Sequence, residues 1–411
     1  MLSVKEAEKI IFNLAQPLNE KQDREIVDLS AVDNRILVDS VSSRLDFPHW
    51  DNSAMDGYAV RYSDVQHSHE SNPTALTVVE EIPAGYQPQI TIQPGEAARI
   101  FTGAVIPPGA DTVVIQEKTR RQADRVLILE APQPREFVRQ KAAFYRAGEV
   151  LLPAGIQLKA AEIAILAAAQ CTQVDVFRRP KVAIFSCGDE LVTPEQPLKF
   201  GQIVDSNLFA LATLVKEAGG EPLILGIVKD QPSTLRATIQ MAIAQSDIVI
   251  SSGGVSVGDY DYIDQILASL DGEIHFRSIQ MRPGKPLTFA SFLKNKVLYF
   301  GLPGNPVSAL VTFWRFVRPA IAKVSGLKTD WEPKFIQVES RGELKSTGKL
   351  ETYIWGNLDL DRGVYQFRPA FGSHSSGNLI NLSQTNALAV LPVGQTLISP
   401  QEDVFVMLVG R

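Results

Sequence analysis

The stretch Asp247-Ile-Val-Ile-Ser-Ser-Gly-Gly-Val-Ser-Val-Gly-Asp-Tyr-Asp261 decides how the rest of the chain is read. Ile248, Val249 and Ile250 form an unbroken β-branched run. A strand that meets water on neither face requires such a run. The chain then breaks into Ser251, Ser252, Gly253 and Gly254. Glycine admits positive φ and lets a ligand come close to the main chain. Successive N–H groups in a turn of this kind cradle an anion. Asp259 and Asp261 follow at once. Carboxylates beside an anion cradle make sense when a divalent cation sits between them. A tight turn leading into a helix capped by Asp261 accounts for the same residues.

Outward from this stretch, strand and helix alternate. Strands are expected at 181–185, 222–228, 287–290 and 297–300. Helices are expected at 205–219, at 232–245, at 262–270, and from an Asn305 cap with Pro306 in its first position to about residue 324. Alternation of this kind implies a doubly wound, mostly parallel sheet with helices on both faces. Ligands of such sheets bind beyond the carboxyl ends of the strands. Polar loops fall at those ends: Ser186-Cys-Gly-Asp-Glu190, Lys229-Asp230 and Gly301-Leu-Pro-Gly-Asn-Pro306. The last leads into a helix N-terminus, itself an anion site. Arg282-Pro-Gly-Lys285, ahead of the strand at 287, adds two cations. Glu190, Asp230, Asp261, Arg282 and Lys285 are thereby expected on one edge of one sheet.

On the N-terminal side, Ser3-Val-Lys-Glu6 is a capping box opening an amphipathic helix to about residue 14. A second helical stretch is expected at 29–37. The turn-rich loop Asp46-Phe-Pro-His-Trp-Asp-Asn-Ser-Ala-Met-Asp-Gly57 follows, with a strand beginning at Tyr58. Short strands broken by Pro and Gly at 76–79, 97–101, 112–115 and 125–129 read as a small β domain, with Thr102 exposed at a strand edge. An alanine-rich helix is expected at 158–169. From about Trp331 the chain is β again, at 334–338, 352–355, 364–367, 387–391 and 403–408, in a small barrel or sandwich. His374, in a hydroxyl-rich loop, reads as a surface residue. The chain is therefore expected to divide as follows: 1–45 with 135–178 form an elongated helical linker domain, 46–134 an inserted small β domain, 179–327 the α/β domain and 328–411 a C-terminal β-barrel.

Composition narrows the class. A chain of 411 residues suggests about two to four domains. With 45% hydrophobic and 21% charged residues it is an ordinary globular composition. A net charge of −6 argues against a general nucleic-acid binder, whose footprint is basic. Two cysteines, Cys171 and Cys187, make neither a zinc spacing nor a disulfide framework, which fits a reducing compartment. The charged, helical start is unlike a signal peptide, and no apolar run spans a membrane. A cytoplasmic location is expected, with neither nucleic acid nor membrane as a partner.

Six segments together resemble the molybdopterin molybdenumtransferase family, which comprises the bacterial molybdenum insertases and the E domain of gephyrin. They are Asp51-Asn-Ser-Ala-Met-Asp-Gly-Tyr-Ala59, Phe101-Thr-Gly-Ala104, Ser186-Cys-Gly-Asp-Glu-Leu191, Ser252-Gly-Gly-Val-Ser-Val-Gly258, Pro283-Gly-Lys-Pro286 and Leu302-Pro-Gly-Asn-Pro-Val-Ser308. The resemblance covers nearly the whole chain in order. It implies an L-shaped homodimer of four-domain subunits. The implied reaction converts adenylylated molybdopterin and molybdate to molybdenum cofactor, AMP and water, with Mg²⁺ as cofactor. It implies a molybdopterin adenylyltransferase and molybdoenzyme apoproteins, or their chaperones, as partners.

Residue by residue, the resemblance makes Asp56, Glu190, Asp230 and Asp261 catalytic, and the last three also metal ligands. Thr102 matches a position of the β domain, which in the family lies near the other subunit's active site. Ser186, Gly188, Asp189, Ser252, Gly253, Gly254, Gly304 and Asn305 match substrate-binding loop positions, and Pro303 and Pro306 the prolines shaping the last loop. Arg282, Lys285 and Ser308 match positions that hold molybdate or substrate phosphate. Two departures stand out. Ala142-Ala-Phe144 occupies the place of a Gly-x-Asp, and Lys349-Leu-Glu-Thr-Tyr-Ile-Trp355 replaces an Arg-x-x-x-x-Arg pattern. Two rival functions stay open at this point: adenylylation of molybdopterin, and a non-catalytic, gephyrin-like scaffold that binds it.

Overall fold

The computed structural model describes residues 1–254 and 262–410. The expectations placed on Asp259 and Asp261 thus lie outside the described residues. The chain forms two compact units. The first comprises residues 1–39, 154–163 and 172–411, and the second residues 40–153 and 164–171.

The first unit is built on a six-stranded sheet. Its strands run in the order Glu221–Val228, Lys181–Cys187, Ile248–Ser252, Val297–Leu302, Pro286–Phe292, Glu273–Ser278. The first four are parallel, Pro286–Phe292 runs against them and Glu273–Ser278 pairs antiparallel with it, so the sheet is mixed. The Glu273–Ser278 strand is an addition to the sequence reading. Its Glu-Ile-His-Phe-Arg-Ser pattern offers only two apolar residues at an edge, too few for a periodic signal.

Alternate residues of the central strands enter two different cores, as the period of two demands. Val182, Ile184, Ile248, Ile250, Leu298 and Phe300 pack with Leu208, Leu211 and Val215 of helix Asn207–Glu217. Ala183, Phe185, Val249 and Tyr299 pack with Leu235 and Ile239 of helix Pro232–Gln245 and with Ile263, Ile266 and Leu267 of helix Tyr262–Ser269. Both faces are covered, and that is why Ile248, Val249 and Ile250 are all fully buried.

Five strands close into a barrel in the C-terminal region: Phe335–Ser340, Glu351–Asp361, Val364–Pro369, Ala387–Leu391 and Asp403–Leu408. Closure comes from the pairing of Glu351–Asp361 with Ala387–Leu391, for example Ile354 opposite Ala389. Val338, Ile354, Phe367, Ala389 and Val406 fill the interior. Tyr353 and Trp355, one step out of phase, turn to the other face and join the core that underlies the sheet.

At the N-terminus the capping box forms as expected. Ser3 Oγ accepts the Glu6 N–H at 3.2 Å, and the Glu6 carboxylate accepts the Ser3 N–H at 2.8 Å. The helix expected at 29–37 does not form. Only Leu29–Ala31 turns, as a 3-10 segment, and Asn34 takes φ +59°, which breaks a right-handed helix. Ile36 and Leu37 instead make bridges to Gln157 and Val176.

The second unit holds a six-stranded sheet in the order Thr112–Ile115, Gly57–Val60, Glu96–Ile100, Thr74–Ile82, Arg125–Ile128, Thr119–Gln122. Tyr58, Val60, Leu76, Val114 and Val126 form a core under it. Among the described residues no helix is long and apolar enough to cross a membrane.

Candidate active site

The register of the parallel strands levels their carboxyl ends. Ser186 lies opposite Ser252, Ser252 opposite Leu302 and Cys187 opposite Val228. The loops that follow therefore leave the sheet at one height. They line a cavity of about 630 Å³ with Ser186, Gly188, Glu190, Asp230, Ser252, Gly253, Gly254, Pro303, Gly304, Asn305 and Pro306 on its wall. Gly253 takes φ +81°, and a Cβ there would run into the carbonyl oxygen of Cys187. The glycine is what lets this loop press against its neighbour.

Asp189 is turned away from this wall. Its Oδ1 accepts the Asp230 N–H at 3.3 Å, so it holds the neighbouring loop instead of lining the cavity. Asn305 occupies the N-cap position of helix Pro306–Thr312, but its side chain makes no capping bond. Its amide reaches Ser376 Oγ at 3.3 Å instead, so the expected cap is replaced by a link to another loop.

Arg282, Lys285 and Ser308 line an adjoining cavity of about 740 Å³. Pro286, Pro303 and Asn305 belong to both walls. Arg282 and Lys285 reach this rim because Pro286–Phe292 is antiparallel to its neighbour, with Thr288 opposite Gly301. The start of an antiparallel strand lies level with the end of a parallel one. Met281–Arg282 also pairs with Glu351–Thr352, which fastens the loop to the barrel. Both cations are exposed, and among the described residues neither forms an ion pair. Unpaired cations beside the buried Ser308 suit a small oxyanion.

Asp56 and Thr102 lie in the second unit and meet there. Thr102 donates its N–H and its hydroxyl to Asp56 Oδ1 at 2.7 and 2.8 Å. These bonds, the backbone one foremost, hold the Asp56 carboxyl below its usual range, with Arg99 assisting.

Several residues on these walls escaped the sequence reading. Cys187 Sγ donates to Asp230 Oδ1 at 2.7 Å, and burial followed by that carboxylate pushes the thiol well up. Asp205 and Asn207 line the first cavity, where the sequence suggested only a helix cap. His374 is half-buried beside Trp355, ring centres 4.8 Å apart, and both line the second cavity. His374 is thus no simple surface residue. Burial lowers its pKa despite a bond to the Trp355 backbone. At the first departure Phe144 is exposed and packs on Phe47, ring centres 5.7 Å apart.

Among the described residues no group of three or more His, Cys, Asp or Glu side chains is placed to enclose a metal ion. Among the described residues, Glu190 and Asp230 are the carboxylates that share the first cavity wall with Asp205. Such a site suits Mg²⁺, which takes one or two carboxylates and completes its shell with water and substrate phosphates.

Comparison with known proteins accounts for the whole chain. Residues 2–169 match the family model of the MoeA N-terminal region (domain I and II), 183–323 that of a probable molybdopterin binding domain, and 337–409 that of the MoeA C-terminal region (domain IV). A molybdopterin molybdenumtransferase of Nostoc sp. is 65% identical over 99% of this chain and 94% of its own length. One from Haemophilus influenzae is 38% identical over 83% of this chain and 81% of its own. The crystal structure of the molybdopterin biosynthesis moeA protein from Pyrococcus horikoshii OT3 superposes with a TM-score of 0.85, covering 100% of both chains at 28% identity. A chain so similar from end to end belongs to the MoeA family of molybdopterin molybdenumtransferases.

Proposed function

We propose that this chain inserts molybdenum into molybdopterin, converting adenylylated molybdopterin and molybdate to molybdenum cofactor, AMP and water. The observation that carries this reading is the junction of an acid-lined cavity with a cation-lined one across Pro286, Pro303 and Asn305. The molybdenumtransferase from Nostoc sp., 65% identical, supports it. Adenylylation of molybdopterin is disfavoured, because the match runs through the N- and C-terminal regions as well as the molybdopterin-binding one.

In this reading the diphosphate of the adenylylated pterin lies in the first cavity, against the N–H groups of Ser252, Gly253 and Gly254 and of the helix that Pro306 begins. Glu190 and Asp230, with Asp261, would hold Mg²⁺. Its charge, when bound, offsets that of the phosphoanhydride being cleaved. Molybdate sits in the second cavity against Arg282, Lys285 and Ser308, where several donors meet a tetrahedral dianion. The shared rim brings oxyanion and pterin sulfurs together. Glu190, exposed on the cavity wall, is positioned to take up and release protons as water forms.

The subunit works as a homodimer of four-domain chains, with an inserted β domain at 46–134 that carries Asp56 and Thr102 to the partner's site. It resides in the cytoplasm, consistent with both cysteines being free. It receives substrate from an adenylyltransferase and delivers product to molybdoenzyme apoproteins or their chaperones. The decisive measurement is AMP release from adenylylated molybdopterin. Release is expected only with molybdate, without consumption of ATP, and to fall at least about 100-fold in Glu190→Gln. Consumption of ATP with unmodified molybdopterin would overturn the reading.

A further inference from the structure

The first cavity contains a pair of acceptors that the proposed chemistry does not use. Asp205 and Asn207 are 3% and 7% exposed and stand two residues apart at the start of helix Asn207–Glu217. Asp205 Oδ1 accepts the Leu208 N–H at 3.1 Å, which fixes the carboxylate and leaves Oδ2 buried without a partner among the described residues. Asn207 Nδ2 donates to Ser252 Oγ at 2.7 Å and to the Gly304 carbonyl at 2.8 Å. A carbonyl only accepts, so the amide nitrogen must lie on that side and Oδ1 must face the other way. Asn207 Oδ1 is likewise buried and unpartnered. Both residues line the cavity.

Two orphaned acceptors on neighbouring residues of one cavity are costly unless a ligand brings donors to them. In the reading above the divalent cation is assigned to Glu190 and Asp230, with Asp261, which leaves these two oxygens for another donor. A phosphate would be repelled by the carboxylate. What fits is a planar edge carrying neighbouring N–H groups.

We propose that Asp205 and Asn207 read the amino-pyrimidinone edge of the pterin. The inference rests on the reading above that the ligand is a molybdopterin. A 2-amino-4-oxopyrimidine presents its exocyclic amine beside a ring N–H, two donors for two acceptors. The adenine edge of the same substrate presents one donor beside one acceptor and leaves one oxygen unpaired. The pair therefore orients the substrate with its pterin at the Asp205 wall and its adenylyl group away from it. Asp205 is a specificity residue that touches the ring, not the reacting atoms.

The test uses the full chain and Asp205→Asn. In that variant the amide oxygen is retained by the Leu208 N–H, which leaves an NH₂ where an unpartnered acceptor stood. The helix start is preserved, and circular dichroism melting checks the fold. Adenylylated molybdopterin is titrated into both proteins, then displaced with pterin or with lumazine, whose 2-oxo group replaces the amine. Wild type is expected to prefer pterin by about tenfold or more, and Asp205→Asn to bind the adenylylated substrate about ten- to 100-fold more weakly. The variant should also prefer lumazine. AMP affinity should stay within about twofold of wild type. If wild type binds the adenylylated substrate and the variant shows the same pterin preference, the assignment fails while the functional reading stands. A loss of AMP affinity instead would assign the pair to adenine and overturn the proposal. If wild type binds no adenylylated molybdopterin at all, the functional reading itself fails, and the assignment with it.

Discussion

Gly253 shows how one residue sets the shape of the first cavity. Its positive φ and its contact with the Cys187 carbonyl leave no space for a side chain. Gly253→Ala is expected to lose about 1–2 kcal/mol from backbone conformation alone, before the clash is counted. Urea denaturation should show the lower midpoint, and AMP release should fall with it. Cys187 makes a different statement. Burial and Asp230 raise its thiol pKa above the ordinary value of 9.0. A raised folded-state pKa contributes stability that is full below the unfolded value and is lost as pH rises through it toward the folded one. Cys187→Ser keeps a donor for Asp230 but does not titrate. Relative to this variant, wild type should lose stability above about pH 9, by up to about 1.4 kcal/mol per pH unit. Denaturant midpoints at pH 7.5 and at pH 10 check this, and equal differences at the two would refute it.

At the scale of elements, the helical region that begins at Pro306 joins three parts of the first unit. It runs as α-helix Pro306–Thr312, a π segment Phe313–Val317 and α-helix Arg318–Val324. Pro319 lacks an N–H and would clash with the preceding turn of a regular helix, and the widened segment just before it relieves that conflict. The π segment directs Arg315 inward. Its guanidinium makes two bonds to Glu8 of helix Val4–Leu14, at 3.0 and 2.8 Å, and one to the Tyr353 hydroxyl of the barrel at 3.0 Å. Tyr353 passes its own hydrogen bond to Glu351 at 2.6 Å. Arg315→Met keeps the bulk but strands Glu8 and the tyrosine. A loss of about 2–3 kcal/mol is expected, below the value for a fully buried pair because Glu8 is partly exposed. A double-mutant cycle with Glu8→Gln would check it, and an additive result would mean that the pair is not coupled.

At the scale of the whole molecule, two units with separate cores predict more than one unfolding transition. The second unit's sheet buries its own residues, Val60, Leu76 and Val126 among them. Units with their own cores unfold as separate cooperative blocks. Calorimetry is therefore expected to give a calorimetric enthalpy larger than the van't Hoff value. Substrate, held chiefly by the cavities of the first unit, should raise that unit's transition more than the other. A single transition obeying the two-state test would contradict this.

What was legible in the sequence was whatever local chemistry dictates. The β-branched run at Ile248 to Ile250 announced a strand covered on both sides, the Ser3 to Glu6 box a helix start, and the alternation around them a wound sheet. Glycine and proline marked the loops that carry Glu190, Asp230, Gly253 and Pro303, and the sheet register then brought those loops level. Tertiary structure decided what depends on distant partners. Asp189 turned to hold a backbone, Asn305 gave up its cap for Ser376, and the stretch at 29–37 became bridges instead of helix. Asp205, Asn207 and Trp355 gained meaning only from burial, because a polar atom becomes informative when folding removes water and supplies no partner.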